Sequence, residues 1–401
     1  MSEWKLKDCC LSISDGDHLP PPKTDSGIPF ITISNIDSTN HIDFGNTLFV
    51  PIEYYEKLDD IRKARPNDII YSVVGSFGKP VLIKDDRKFV FQRHIAILRP
   101  NSEIVDSRFL YYVMLSRDFY MQADTVAIGA AQRTISLSSL RNMKVELPPL
   151  PIQLRIATIL SRYDTLIENY QKQIKLLEEA AQRLYKEWFM ELRFPGYESA
   201  KIVDGVPEGW EKKSISQLGD YLNGFAFKPS DWQEKGKPII KIKEMGNGVS
   251  DETPRNNGER VPSRYLVKAG DLIFSWSATL MVIIWTGEEG WLNQHLFKVT
   301  PAKGIGREFL LQTISKAILE FSNLTTGSTM KHIQRNKLDQ VFVNTPSSEV
   351  MEKYNEIAES LRTKVLNISS QIRLLTEARD RLLPKLMGGE MDVILENYPA
   401  V

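Results

Sequence analysis

The chain has 401 residues, 42% of them hydrophobic and 25% charged, and its 51 basic residues are balanced by 51 acidic ones. This composition is typical of a folded protein of two or three domains and excludes a collagen-like or intrinsically disordered chain. The sequence has neither an apolar run of the roughly 18 residues that span a bilayer nor a signal-peptide pattern at its start. Its two cysteines, Cys9 and Cys10, are adjacent, which excludes a disulfide framework and a CxxC zinc site. We expect a cytoplasmic protein with reduced cysteines.

The sequence repeats itself once, at an interval of about 200 residues. DIIYSVV, which begins at Asp68, matches DLIFSWS, which begins at Asp271, at an offset of 203; QRHIAILRP from Gln92 matches NQHLFKVTP from Asn293 at an offset of 201. The pairs in register are Asp68/Asp271, Ile70/Ile273, Ser72/Ser275, His94/His295, Pro100/Pro301, Gly129/Gly327, Ile135/Ile333 and Leu140/Leu338. Two copies of this length predict a duplicated, fused pseudo-dimer rather than a solenoid.

Each copy combines a globular part with a long helix. The globular parts carry short apolar runs, rich in β-branched residues and broken by Gly, Pro and Asn or Asp, followed by helical stretches near 106–121 and 306–322. The predicted fold class is therefore mixed α/β. In chain order we predict a first globular domain (1–147), a central helix (148–195), a second globular domain (196–345), a C-terminal helix (346–390) and a tail (391–401).

Both long helices carry an apolar seam with alternating spacings of four and three. The seam of the central helix is Ile156, Leu160, Tyr163, Ile167, Tyr170, Ile174, Leu177, Ala181, Leu184 and Trp188. The C-terminal seam, 198 residues further on, is Tyr354, Ala358, Leu361, Val365, Ile368, Ile372, Leu375, Arg379, Leu382 and Leu386. Only Arg379 is neither apolar nor aromatic. Such a repeat predicts a coiled coil, here a rod of about 50 Å. We expect the two helices to pair antiparallel; two unconnected surface helices are the alternative.

Enzyme motifs are mostly absent from the sequence. It contains no phosphate-binding loop, no dinucleotide fingerprint, no HExxH and no GxSxG. Asp85 and Asp86 with Lys88 could be imagined as a nuclease site, but they suit an acidic hairpin turn better. His94 and His295 match across the repeat, yet one histidine per copy favours packing over metal ligation. We therefore predict no catalytic residues and no metal site.

Polar segments suited to nucleic acid recur at matching places in the two copies. The candidate DNA-binding residues of the first copy are Ser76, Lys79, Gln92, Arg93, Gln132, Arg133 and Thr134. Those of the second copy are Lys241, Lys243, Asn293, Gln294, Lys331, His332, Gln334 and Arg335. These side-chain types can contact base edges or phosphates. The alternative interpretation is that these segments are ordinary solvated loops. Their recurrence at matching places in the two copies counts against that alternative. Because the chain has no excess positive charge, a more basic partner is expected to supply non-specific affinity for DNA.

At this point the sequence resembles the specificity subunits of type I restriction–modification systems. The stretches that carry the resemblance are VELPPLPIQLRIATIL (145–160), LYKEWFMELRFPGYE (184–198) with GVPEGW (205–210), DIIYSVVGSFGK with DLIFSWSATL, and RDRLLPKLMGGEMDV (379–393). Their order and spacing cover essentially the whole chain. One departure is TPSSEV (345–350), where the second copy lacks the Pro-Pro-Leu and Gln of the first.

The resemblance implies a non-catalytic subunit whose two globular parts are target recognition domains. Each would recognise one half of a split double-stranded DNA sequence, while the helices set the spacing and dock two adenine-N6 methyltransferase subunits. Because the two copies differ in the loops GAAQRTIS and GSTMKHIQ, we predict an asymmetric target rather than a palindrome. The helix residues singled out for this are Ile167, Tyr170, Ile174, Leu177, Leu184, Val365, Ile368, Ile372, Leu375 and Leu382. No cofactor is expected on this chain: S-adenosylmethionine belongs to the methyltransferase, and ATP and Mg²⁺ to the restriction subunit. The alternatives are a coiled-coil adaptor that binds proteins and a stand-alone endonuclease.

Overall fold

The computed structural model describes residues 2–16, 21–37, 39–129, 133–324 and 337–389. The chain forms two compact units. Unit 1 runs from the N-terminus to Leu166 and resumes at Leu375, and unit 2 is Ile167–Leu374. Each unit therefore contains one globular domain and one part of each long helix. No helix within the described ranges is long and apolar enough to cross a membrane.

Unit 1 is built on a four-stranded antiparallel sheet. Its strands are β1 (Ser2–Lys5), β2 (Cys10–Asp15), β3 (Ile28–Ile31), β4 (Leu48–Val50), β5 (Ile69–Ser72), β6 (Pro80–Leu82), β7 (Val90–Phe91), β8 (Ile95–Pro100) and β9 (Lys144–Leu147). Its helices are α1 (Leu6–Cys9), α2 (Ile52–Glu56), α3 (Ser107–Leu115), α4 (Arg117–Val126), α5 (Leu137–Asn142) and the first part of α6 (Leu150–Tyr185). The main sheet has the order β2-β8-β5-β6, and smaller sheets are β4-β3-β7 and β1-β9. Strand β5 is buried along its whole length, as its continuous apolar sequence predicts.

Unit 2 repeats this plan with one additional β-hairpin, β10–β11, and one additional strand, β16, in its second sheet. Its strands are β10 (Ile202–Val203), β11 (Val206–Pro207), β12 (Glu211–Ser214), β13 (Gly219–Asn223), β14 (Lys237–Ile240), β15 (Arg255–Asn256), β16 (Leu266–Val267), β17 (Leu272–Ser275), β18 (Met281–Ile284), β19 (Gly290–Leu292), β20 (Leu296–Pro301) and β21 (Phe342–Thr345). It also holds the rest of α6, then α7 (Ile242–Asn247), α8 (Arg307–Leu324) and most of α9 (Ser348–Met387). Its main sheet has the order β13-β20-β17-β18, and a second sheet the order β15-β14-β19-β16.

The two units share connectivity as well as sequence. The parallel pair β3–β7 of unit 1 corresponds to the parallel pair β14–β19 of unit 2, and the antiparallel pair β1–β9 corresponds to β12–β21. The helix after the main sheet differs. In unit 1 it is interrupted at Ser116, whose hydroxyl caps α4 by accepting from the backbone N–H of Phe119 (3.3 Å), whereas α8 is continuous. The predicted mixed α/β duplication is confirmed.

A buried glutamine fixes the start of the central helix. Gln153 is 1% exposed, and its Oε1 accepts from the backbone N–H of Asp106 (3.0 Å). Its Nε2 donates to the carbonyls of Ile104 (3.1 Å) and Pro148 (2.9 Å). All the polar atoms of this side chain are therefore satisfied by backbone groups of unit 1, as a buried amide requires. The first turn of α6 is held to the loop before α3.

The seam residues of α6 and α9 are covered by other parts of the protein. None of the twenty predicted seam positions is exposed, whereas Leu166, Leu176 and Leu374, which lie outside the seams, are 38%, 64% and 55% exposed. In unit 1, Arg379 of α9 donates to Asp164 of α6 (2.7 Å). In unit 2, Arg362 of α9 approaches Glu178 of α6 (3.8 Å). From Asp164 to Glu178 the residue numbers rise along α6, while those of their partners on α9 fall from Arg379 to Arg362. The predicted antiparallel coiled coil is therefore confirmed.

The far end of α6 is anchored in unit 2 by aromatic side chains. The helix closes with a π-helical turn, Lys186–Met190. Within it, Trp188 and Phe189 lie 5.8 and 4.7 Å from the ring of Tyr354 on α9. Phe189 also lies 4.9 Å from Phe309 in an edge-to-face arrangement. Such ring pairs add about 0.5–1.5 kcal/mol each beyond the area they bury, so they stabilise the packing of this helix end in the unit 2 core.

Candidate nucleic-acid interface

Three polar segments of unit 1 lie side by side at one end of its main sheet, where strand β5 ends and strand β8 begins. They are the β5–β6 hairpin, the turn between β7 and β8, and the loop before α5. The backbone N–H of Val73 donates to the carbonyl of His94 (2.9 Å), which joins the hairpin to the turn. The backbone N–H of Gly75 donates to the carbonyl of Arg133 (2.9 Å), which joins the hairpin to the loop. The structure therefore brings together segments that are up to 60 residues apart in the sequence. We call this surface the unit 1 edge.

The hairpin of the unit 1 edge is organised by a buried hydroxyl. Ser72 is 0% exposed; its Oγ donates to the carbonyl of Ser76 (2.9 Å) and accepts from the backbone N–H of Lys79 (3.0 Å). The side chain of Ser76 is exposed. The Lys79 ammonium lies 3.4 Å from the carbonyls of Ile36 and Asp37. Of the two predicted DNA-binding residues here, Ser76 is accessible and Lys79 is half-buried.

Arg133 is held within the protein rather than pointing freely outward. Its guanidinium pairs with the Asp124 carboxylate and donates to the Asp124 carbonyl, and it lies 5.4 Å from the centre of the Phe77 ring. Thr134 is exposed, and Gln132 lies outside the described residues. A base contact by Arg133 remains a prediction, and it would require the ion pair with Asp124 to open.

The turn between β7 and β8 presents its middle residue to solvent. Arg93 is exposed, while Gln92 and His94 are half-buried. The backbone N–H of Gln92 donates to the carbonyl of Ile31 (3.1 Å), which ties the turn to β3. Partial burial, reinforced by the positive charge of Arg93, lowers the pKa of His94 below its ordinary value. The imidazole is therefore neutral at pH 7.

Unit 2 has a corresponding edge, built from the β17–β18 hairpin and the turn between β19 and β20. Ser275 is 0% exposed and corresponds to Ser72 of unit 1. Its Oγ likewise donates to a carbonyl within its hairpin, that of Thr279 (2.8 Å). Asn293 is 6% exposed, and its Oδ1 accepts from the backbone N–H of His295 (3.4 Å). The Asn293 side chain thus closes its own turn, and little of it is available to DNA. Gln294 is half-buried and His295 is exposed. We call this surface the unit 2 edge.

The two predicted lysines of unit 2 both have protein partners. The Lys241 ammonium lies 4.5 Å from the centre of the Trp232 ring, and the backbone N–H of the turn residue Asn293 donates to the carbonyl of Ile240 (3.1 Å), which places Lys241 beside the unit 2 edge. Lys243 pairs with Glu252 (3.0 Å), with both side chains largely exposed. Lys331, His332, Gln334 and Arg335 lie outside the described residues. The DNA contacts of all six residues stay predictions.

Two residues of the unit 2 edge were missed by the sequence analysis. Asn223 ends β13, and its Oδ1 accepts from the indole N–H of Trp276 (3.2 Å). The Trp276 ring lies 5.9 Å from the His295 ring. The repeat itself could have drawn attention to Trp276, because DLIFSWS carries tryptophan where DIIYSVV carries Val73. Nothing in the sequence pattern places Asn223 beside it.

The edges carry polar, cationic and aromatic groups without the constellation of a metal site. Within the described ranges, no three His, Cys, Asp or Glu side chains come together as a metal site would require. Ser76, Arg93 and His295 offer hydroxyl, guanidinium and imidazole groups from turns at strand ends. Such side chains on a rigid sheet edge are suited to contact a ligand that offers many hydrogen-bonding positions, such as a nucleic acid. The arrangement defines a duplicated recognition protein.

Comparison with known proteins identifies the class. Residues 3–179 and 207–373 both match the type I restriction modification DNA specificity domain, so the chain belongs to that family. It is a DNA specificity subunit, the non-catalytic recognition component of a type I restriction–modification system.

Similar proteins extend over most or all of the chain. It is 26% identical to the type I restriction enzyme MjaIX specificity subunit of Methanocaldococcus jannaschii, over 72% of this chain and 70% of that protein. It is 24% identical to the HindI specificity subunit of Haemophilus influenzae, over 98% and 100% of the two chains. The crystal structure of a type I S subunit from M. genitalium shares the fold, with a TM-score of 0.56, 17% identity, and coverage of 96% and 95% of the two chains.

Proposed function

We propose that the two units recognise the two halves of one split DNA target, and that the halves differ in sequence. The observation that carries this proposal is one scaffold with two different edges. Each hairpin is closed by a buried serine at the equivalent position, Ser72 in unit 1 and Ser275 in unit 2. A common backbone frame with diverged side chains is what two related but non-identical recognition sites require.

The side chains at corresponding places differ in charge and in shape. The β7–β8 turn of unit 1 has the sequence Gln92-Arg93-His94, and the β19–β20 turn of unit 2 has Asn293-Gln294-His295. In the hairpins, unit 1 has Val73 where unit 2 has Trp276. Cations suit guanine and phosphate, whereas amides and an indole suit other base edges and stacking surfaces. The target is therefore expected to be asymmetric rather than palindromic.

The long helices serve, in this proposal, as the docking surface for the catalytic subunits. Tyr170, Ile174 and Leu177 of α6, with Ile368 and Ile372 of α9, are only half-buried. Exposed Leu176 and Leu374 lie outside the seams of the same helices. Two methyltransferase subunits that cover these residues would remove apolar surface from water. S-adenosylmethionine would be bound by those subunits, and ATP and Mg²⁺ by restriction subunits that join them in the cytoplasm.

A partner is also expected on electrostatic grounds. Neutralisation of phosphates supplies most non-specific affinity for DNA, and this chain has a formal net charge of zero. Recognition by the edges is therefore expected to need the positive surface of the methyltransferase. The purified chain alone should bind DNA weakly, and the complex should bind it tightly.

The test is a genome-wide map of N6-methyladenine in the host, with the gene intact, deleted, and deleted but complemented. Deletion should remove one split, asymmetric motif, and complementation should restore it. If the map is unchanged by deletion although the methyltransferase is expressed and active, the proposal is wrong. Loss of a palindromic motif would contradict the assignment of different half-sites to the two units.

A further inference from the structure

A glycine in each unit lies so close to the neighbouring turn that no side chain fits. In unit 2 the backbone N–H of Gly224 donates to the carbonyl of Leu296 (3.0 Å). A Cβ added to Gly224 would lie 2.1 Å from the carbonyl oxygen of Asn293. The chain after β13 is thereby pressed against the β19–β20 turn, and the residue before this glycine is fixed in place at the unit 2 edge.

Unit 1 has the same arrangement at the corresponding place. The backbone N–H of Gly16 donates to the carbonyl of Ile95 (3.1 Å), and a Cβ added there would lie 2.1 Å from the carbonyl oxygen of Phe91. Ile95 corresponds to Leu296 in the repeat. The residues that precede the two glycines, Asp15 and Asn223, are therefore equivalent, and each is the last residue of its strand, β2 or β13.

These equivalent residues differ in hydrogen-bonding chemistry. Asp15 carries a carboxylate, which only accepts hydrogen bonds when ionised, whereas the Asn223 amide can also donate them. The Asn223 side chain is exposed, and its Oδ1 accepts from the indole N–H of Trp276 (3.2 Å). Since the carbonyl side of the amide is held by the indole, its Nδ2 is turned away from Trp276. Among the described residues, Nδ2 has no hydrogen-bond partner in the protein.

The indole is itself held in place by the unit 2 edge. The Trp276 ring lies 5.9 Å from His295 of the turn and 5.9 Å from Phe297 of β20. The Asn223 residue that accepts from the indole is paired with Phe297 in the β13–β20 ladder. Two ring contacts and a hydrogen bond thus fix the direction in which the amide donors point.

We propose that Asn223 is a specificity-determining residue of the half-site recognised by unit 2, and that Trp276 is its positioning residue. This inference rests on the proposed function. The Asn223 Nδ2 donates to an acceptor on a base edge, such as N7 or O6 of a purine or O4 of thymine. Trp276 acts through Asn223 by holding its Oδ1. In unit 1 the equivalent Asp15 cannot donate, which contributes to the difference between the half-sites.

The experiment uses the assembled complex of this chain with its methyltransferase subunits, S-adenosylmethionine and a DNA library randomised over the target. Sequencing of N6-methyladenine gives the base preference at every position. Asn223→Asp removes the donors but keeps the size of the side chain and the acceptor for Trp276. Trp276→Phe keeps a ring but removes the indole N–H. Asn257→Asp is the matched control, because Asn257 is exposed and follows Asn256, which pairs with Lys237 at the opposite end of β14 from the edge.

We expect Asn223→Asp to change the preference at one position of one half-site by about tenfold or more. Trp276→Phe should weaken the preference at that same position by a smaller factor, and the other half-site should be unchanged in both variants. Asn257→Asp should match the wild type throughout. An unchanged preference in Asn223→Asp overturns the inference. An equal loss of methylation at every sequence also overturns it, since that result would make Asn223 a phosphate contact or a structural residue. If the wild-type complex itself yields no split motif, the proposed function fails first.

Discussion

Removal of the Arg362 guanidinium should leave a buried carboxylate without its counter-ion. Glu308, at the start of α8, is 1% exposed, and Arg362 is 5% exposed. Two guanidinium nitrogens contact Oε2 of Glu308, Nη2 at 2.8 Å and Nε at 2.9 Å. The second acidic neighbour, Glu178, is 3.8 Å away and about half-exposed. Arg362→Met keeps most of the length of the side chain while deleting the charge and every donor.

The expected loss of unfolding free energy comes from the Glu308 carboxylate, which stays buried after the guanidinium is removed. Breaking a buried ion pair by removing one partner typically costs about 3–5 kcal/mol, because the other charge stays desolvated. Oε1 of Glu308 keeps one donor, Nε2 of Gln312 (2.8 Å), which is not sufficient to replace a cation that donates twice to Oε2. In the double variant Glu308→Gln/Arg362→Met no charge is left in the pair. It should therefore recover most of the loss, to within about 1–2 kcal/mol of wild type.

The assay is urea unfolding followed by tryptophan fluorescence, which reports mainly on unit 2. Six of the seven tryptophans lie there: Trp188, Trp210, Trp232, Trp276, Trp285 and Trp291. The control is Lys243→Met. This lysine also pairs with a glutamate of unit 2, Glu252, but the two side chains are 58% and 81% exposed, so its loss should cost about 0.5 kcal/mol or less. If Arg362→Met is no more costly than the control, or if the double variant is worse than the single one, the reasoning about the buried pair is refuted.

Three further predictions concern single side chains. Ile167→Asp puts a carboxylate at a buried seam position and should lower the free energy of unfolding by about 3 kcal/mol or more. Leu176→Asp, at a 64% exposed position, should be nearly neutral, and equal effects of the two variants in thermal melts would contradict the assignment of Ile167 to a buried seam. The depressed pKa of His94 means that its stabilising contribution is present above about pH 6.5 and is lost as the pH falls through the folded-state value; a histidine NMR titration with a pKa at or above 6.5 would be inconsistent with that. Ser72→Ala should cost about 1–3 kcal/mol and speed hydrogen exchange at the amide of Lys79, whose acceptor it removes; unchanged exchange would mean that the hydroxyl does not organise the hairpin.

The helices could be predicted well from the sequence because their information is local. A repeat with spacings of four and three marks the buried face of a helix whatever its partner is. The seam accordingly predicted which positions of α6 and α9 are covered. It could not explain Arg379, the one polar seam residue, because its partner Asp164 is 215 residues away in the chain. The Asp164 carboxylate also accepts from the phenol of Tyr112, a contact that no spacing rule predicts.

The recognition edges could be located from the sequence but not described in detail. The repeat indicated which turns correspond, and the structure brings the described segments of unit 1 together. What the individual side chains contact depends on tertiary neighbours. Asn293 and Arg133 have residue types suited to base contacts, yet Asn293 closes its own turn and Arg133 pairs with Asp124. Asn223 lies outside every segment singled out in the sequence, and tertiary contacts, among them the β13–β20 ladder and the hydrogen bond from Trp276, place it at the edge.

The charged residues between the long helices have a consequence for the duplication itself. A shift of 198 residues carries Asp164 onto Arg362, so the same place in the two copies holds opposite charges. Each finds its complement on the other helix, Arg379 for Asp164 and Glu178 for Arg362. Pairing of two first-copy helices would set Asp164 near Glu178, and pairing of two second-copy helices would set Arg362 near Arg379. Like charges facing each other along a coiled coil disfavour homotypic pairing, so these residues favour pairing of the two helices within one chain over pairing of identical helices from two molecules.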